Sequence, residues 1–120
     1  MNKGRKISGG KYHANRKKKF YEQTGQERIV SLGERKTKLI RTRGGNKKLT
    51  LLNSEFANIV VNKKSQIVEI KNVLETPQNR FLARKNRLMK GTIIETEIGK
   101  AKITNRPTRE GTINAIILKE

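Results

Sequence analysis

The chain has 120 residues, and 29 Lys and Arg against 10 Asp and Glu leave a formal charge of +19, so a single small domain repels itself strongly and calls for a polyanion, of which nucleic acid is the densest. The absence of cysteine excludes disulfides, thiolate nucleophiles and cysteine-ligated zinc. The longest apolar run, Ala115 to Leu118, is far short of the roughly 18 residues of a membrane span, and no apolar leader follows the basic start, so a soluble, unexported protein with no membrane partner is expected.

The charge is unevenly placed. The first 48 residues carry 16 Lys and Arg against 3 Glu, and the last 72 carry 13 against 7. Apolar residues divide the other way, 11 in the first part and 28 in the second, so only the second is composed like an ordinary globular domain. Residues 1–26 read as a basic extension: Gly4, Gly9, Gly10 and Gly25 interrupt any long helix, the run Arg16-Lys17-Lys18-Lys19 forbids burial, and the free segment is expected to be disordered. Residues 27–120 read as the body.

Taken in chain order, the body offers short segments rich in Ile, Val, Leu and Thr separated by Gly, Asn, Ser or Lys: Arg28 to Leu32, Lys36 to Thr42, Lys48 to Leu52, Ala57 to Val61, Gln66 to Val73, Thr92 to Glu97, Lys100 to Asn105 and Thr112 to Lys119. Alternation is cleanest at Val68-Glu69-Ile70-Lys71 and Lys100-Ala101-Lys102-Ile103. Asn62-Lys63-Lys64-Ser65 is a hairpin loop, Gly99 a second turn, and Arg106 to Gly111 a longer turn. One helix of about 12 residues is expected, capped by Thr76, entered through Pro77 and stopped by Gly91. The fold class is therefore mainly β, a small closed or partly open barrel of about six to eight short strands with one short helix, behind a disordered basic arm. Strand order is not legible.

Catalysis finds little support. His13 is the single histidine and falls in the arm, where it reads as an RNA contact or an exposed side chain. Glu95 and Glu97 share a strand face beside Lys100 and Lys102 and read as a solvated face rather than an acid/base or metal pair. Gly99-Lys100 lacks the preceding glycine of a phosphate-binding loop. No enzyme activity, cofactor or metal is expected.

Three basic clusters remain. In the arm, Arg5-Lys6-Ile7-Ser8-Gly9-Gly10-Lys11 precedes Arg16-Lys17-Lys18-Lys19-Phe20-Tyr21-Glu22; cations neutralise phosphates, the glycines allow close backbone approach, and Tyr12, Phe20 and Tyr21 are available to stack on unpaired bases. A nonspecific or targeting polybasic tail is the alternative. The second cluster is Arg41-Thr42-Arg43-Gly44-Gly45-Asn46-Lys47-Lys48, with Arg35, Lys36 and Lys38 on the approaching strand. A hairpin needs the glycines whatever its function; four cations and an amide around the tip go beyond that need and suggest an RNA clamp. The third is the helical stripe containing Arg80, Arg84, Lys85, Arg87 and Lys90, of which Arg84 and Arg87 are taken as RNA contacts over a merely solvated face.

These motifs, with Gly33-Glu34-Arg35-Lys36, the segment from Lys90 to Ala101 and the tail from Thr104-Asn105-Arg106-Pro107 to Asn114-Ala115, together resemble the e-type small-subunit ribosomal protein eight family of archaea and eukaryotes, unrelated to the bacterial protein of that number. The resemblance covers nearly the whole chain and rests on the order and spacing of motifs that are individually weak. It implies a cytoplasmic structural constituent of the small subunit: a β-barrel on the rRNA surface, a basic extension threaded among RNA helices, neighbouring ribosomal proteins as further partners, and a monomer outside the ribosome. Eukaryotic members carry a long lysine-rich helical insertion that this chain lacks, which implies an archaeal member. The alternatives are a transient ribosome-assembly factor using the same body and a small DNA-compacting protein; the arm aromatics disfavour the latter, since a uniform duplex gives them nothing to stack on.

Overall fold

The computed structural model describes residues 4–13, 15–25 and 27–118. Parts of the expected arm (Met1 to Lys3, Ala14, Gln26) and the end of the last expected strand and body (Lys119, Glu120) lie outside the described residues. The elements are β1 (Val30–Leu32), β2 (Lys36–Arg41), β3 (Lys47–Ser54), β4 (Phe56–Val61), β5 (Lys64–Glu75), α1 (Arg80–Arg84), β6 (Arg87–Leu88), β7 (Ile93–Thr96), β8 (Gly99–Ile103), α2 (Pro107–Glu110) and β9 (Asn114–Ile117), with single 3-10 turns at Phe20–Glu22 and Arg43–Gly45.

The strands form two sheets around one core. Five close a barrel in the order β4-β5-β7-β8-β9, and four form a sheet in the order β2-β3-β1-β6. The barrel closes through a parallel pairing of β4 with β9, where Asn58 stands opposite Asn114 and their amides meet at 3.3 Å. Closure leaves the barrel no free edge, which suits a wall made of short strands. Alternation sets which side chains face inward: Val68 and Ile70 on β5 and Ala101 and Ile103 on β8 are buried, while Glu69, Lys71, Lys100 and Lys102 are exposed. Farther along β5 the register shifts between Ile70 and Asn72, and the Asn72 carboxamide oxygen accepts the Val73 N–H. That bulge returns Val73 to the interior and bends the long strand into the barrel wall.

The second sheet joins the same core through Val30, Leu51 and Leu88. Between β3 and β4 the chain turns sharply, with the Ser54 hydroxyl both accepting from the Phe56 N–H and donating to its carbonyl. Of the expected loop Asn62 to Ser65 only Asn62 and Lys63 turn the chain, both at positive φ, while Lys64 and Ser65 of β5 already pair with Val61 and Val60.

The expected 12-residue helix is a correction. Asn79, not Thr76, caps α1 by accepting the Phe81 N–H; the Thr76 carbonyl instead closes a turn with Asn79 N–H, and Pro77 lies in that turn. Asn86 at positive φ ends the helix region, and Leu88 leaves it for a strand because the core takes its side chain to 1% exposure. A second short helix, α2, occupies the expected turn between Arg106 and Gly111. Gly111 ends it in the left-handed conformation at φ +76°, so the backbone favours glycine, and a Cβ there would press on Leu49 Cδ2 at 3.3 Å.

Candidate nucleic-acid interface

The arm is built from local contacts. Arg5 pairs with Lys11, Lys6 and Gly10 close the turn between them, and the Arg5 guanidinium donates to the Gly9 carbonyl at 3.0 Å. Lys6 Nζ lies 5.8 Å from the centre of the Tyr12 ring, and Tyr12, Phe20 and Tyr21 are 52%, 91% and 67% exposed. His13, Lys17, Lys18 and Lys19 are likewise exposed. Aromatic faces and cations thus alternate along an open segment, an arrangement suited to stacking and phosphate contact together.

Arg16 stands apart from its neighbours. Its guanidinium grips Glu22 bidentately at 2.6 and 2.8 Å, and the Glu22 carboxylate also accepts the Lys19 N–H at 3.1 Å. The hydrogen bonds from Arg16 and then from Lys19 hold the Glu22 carboxyl below its ordinary range, and Glu22 raises Arg16 in return. Arg16 therefore fastens a loop around the Lys17 to Lys19 run and presents those three cations outward.

The β2–β3 hairpin carries the second cluster. Arg41 stands opposite Lys47, Thr42 N–H and hydroxyl both donate to the Asn46 carbonyl at 2.7 and 2.9 Å, and Gly44 and Gly45 turn the chain at φ +84° and +81°. The glycines are there for the backbone; the function lies in what surrounds them. Arg43, Asn46, Lys47 and Lys48 are all exposed at the tip. Because Ile40 stands opposite Lys48, the tip cations divide between the two faces, Arg41 with Lys47 on one and Lys48 with Lys38 on the other. Arg35 and Lys36 do not join them: Lys36 opens β2 about 17 Å from Arg41 at the usual rise per residue, and Arg35 precedes the strand.

The third cluster is rearranged by the shorter helix. Arg80 and Arg84 flank the exposed Phe81 ring at 5.8 and 5.7 Å. Arg87 is not on the helix; it is half-buried on β6, donates to the Ser31 hydroxyl and ties β6 to β1. Glu95 stands opposite Lys100 on the barrel wall, while Glu97 leaves the strand for the following turn.

One cationic surface has no counterpart among the expected motifs. Arg28, Lys48, Lys90, Arg106 and Arg109 line a single groove of about 690 Å³. Of these, Lys48 belongs to the hairpin motif and Lys90 to the third basic cluster, whereas Arg28, Arg106 and Arg109 fall in no basic cluster. These cations come from stretches far apart in the chain, and topology alone brings them together.

The outcome is a β structure of two sheets with basic surfaces at the arm, the hairpin tip and this groove. Among the described residues, no helix is long and apolar enough to cross a membrane. Residues 1–118 match the family model described as ribosomal protein S8e. A relative from Methanocorpusculum labreanum named small ribosomal subunit protein eS8 is 43% identical over 117 residues, covering 96% of this chain and 94% of its own length. Relatives of the same name from Sulfolobus acidocaldarius and Pyrobaculum aerophilum are 42% and 41% identical, each covering at least 96% of this chain and at least 91% of their own lengths. By the whole-length family match and these archaeal relatives, the chain belongs to the ribosomal protein S8e family and is a structural ribosomal protein rather than an enzyme.

Proposed function

We propose that this chain is a structural constituent of the small ribosomal subunit that holds rRNA with its basic extension, residues 1–26, and with the Arg41 to Lys48 hairpin of its body, residues 27–120. The observation carrying this reading is the state of the cations: apart from Arg16, the described cations of the arm and hairpin tip make no ion pair among the described residues. A chain of +19 that leaves these charges unanswered within itself is built to be neutralised from outside. Arg5, Lys6, Lys11 and Lys17 to Lys19 would contact phosphates, Gly9 and Gly10 would admit the backbone, and Tyr12, His13 and Phe20 would meet unpaired bases. At the tip, Arg41, Arg43, Lys47 and Lys48 with Asn46 would clamp a phosphate run, with Arg84 beside Phe81 as a further contact. Arg35 and Lys36 would reach RNA only at the other end of the hairpin. Neighbouring ribosomal proteins complete the surroundings, and outside the subunit the chain is a cytoplasmic monomer.

The test is fractionation of translating ribosomes. One copy per small subunit, retained through subunit joining, is the expected result. Presence only in immature particles would contradict the structural role and favour a transient assembly factor.

A further inference from the structure

The groove between the β2–β3 hairpin, the segment after β6 and α2 has two distinct zones. Its rim carries Arg28, Lys48, Lys90, Arg106 and Arg109 against one carboxylate, Glu27, and none of the five cations makes an ion pair among the described residues. Its floor is mainly apolar: the buried Leu88 and Pro107 and the half-buried Ile40 and Met89 surround one buried hydroxyl side chain, Thr50. Two hydrogen bonds hold the rim in place: the Thr108 hydroxyl donates to the Arg28 carbonyl at 2.9 Å, and the Gln78 amide donates to the Lys90 carbonyl at 2.7 Å.

We propose that this groove takes an unpaired nucleotide of the bound RNA, its base on the apolar floor and its flanking phosphates on the rim cations. The inference rests on the RNA-binding reading above and goes further by naming what the RNA must present. A continuous duplex keeps its bases stacked inside, so it would use the rim and leave the floor empty; a base that has left the stack uses both. The volume lies within the range of small-ligand sites, large enough for one nucleotide. RNA is favoured over an acidic peptide because the groove shares Thr42 and Lys48 with the hairpin, so a strand clamped at the tip runs directly into it.

The experiment compares the full chain's binding to a short RNA duplex and to the same duplex carrying one unpaired 2-aminopurine. The bulged RNA is expected to bind about tenfold more tightly, from burial of one base face against aliphatic side chains, with a change in 2-aminopurine emission. Met89→Gln, which makes the floor polar without altering charge, is expected to reduce that preference to within about twofold while leaving duplex affinity unchanged. Arg109→Glu, an exposed substitution that spares the core, is expected to weaken both RNAs alike, because both use the rim. Equal affinity of the wild-type chain for both RNAs, or a preference that survives the Met89 substitution, overturns the groove proposal while leaving RNA binding intact. Failure to bind either RNA overturns both readings. Displacement of the bulged RNA by polyglutamate at equal charge concentration would assign the groove to an acidic peptide instead.

Discussion

Thr76 is 2% exposed, and its hydroxyl has no hydrogen-bond partner among the described residues. A buried polar group left unpaired costs about 1–3 kcal/mol, and valine keeps nearly the same shape without it. Thr76→Val is therefore expected to raise stability by roughly 1 kcal/mol, read as a higher urea midpoint at unchanged slope. A second residue-scale expectation concerns Glu22. Its carboxyl is held below the ordinary value of 4.5 by Arg16, so the clip contributes above that value and is lost as pH falls through the lowered one. Both side chains are solvent-accessible, so the effect is confined to the loop. Amide shifts of Lys17 to Lys19 are expected to move together on acidification below pH 4.5, and Glu22→Gln is expected to abolish that transition.

At the scale of elements, the hairpin separates backbone need from function. Gly44 and Gly45 make the turn, whereas the exposed Arg43 and Lys47 beside them have no part in the core. Arg43→Glu with Lys47→Glu is expected to weaken rRNA binding roughly a hundredfold near 0.1 M salt. The same pair is expected to change unfolding free energy by no more than about 0.5 kcal/mol. Unfolding of the variant would show that the tip is a structural turn.

The elements also mark what the sequence made legible. β5 and β8 were readable because one face of each is buried and the other solvated, so Val68, Ile70, Ala101 and Ile103 alternate with charges. The helix boundaries were not, because Thr76-Pro77 imitates a helix start while Asn79 supplies the working cap, and because only the folded core shows that Leu88 belongs to a strand. Arm and hairpin cations are contiguous in sequence and announced themselves. Arg28, Arg106 and Arg109 did not, and nothing joined Lys90 to them, since their meeting depends on the order β2-β3-β1-β6 and on α2, neither of which any local pattern encodes.

On the whole-molecule scale, the radius of gyration is 20.6 Å, against roughly 14 Å for a compact chain of this length. Extents of 64 × 38 × 28 Å fit a barrel and sheet with a segment projecting from them. Such a projection buries little, so ordering it on RNA costs about 1–2 kcal/mol per fixed residue and must be offset by phosphate contacts. Neutralised phosphates release counterions, and the number neutralised is readable from salt dependence.

The most direct measurement is accordingly the affinity for small-subunit rRNA across salt concentrations, for the intact chain and for one lacking residues 1–26. With six arm cations and four tip cations that make no ion pair among the described residues, the intact chain is expected to give a slope of log K on log salt of roughly −7 or steeper, and the truncated chain a slope shallower by roughly four. A slope near zero for the intact chain, or one unchanged by the truncation, would contradict the account.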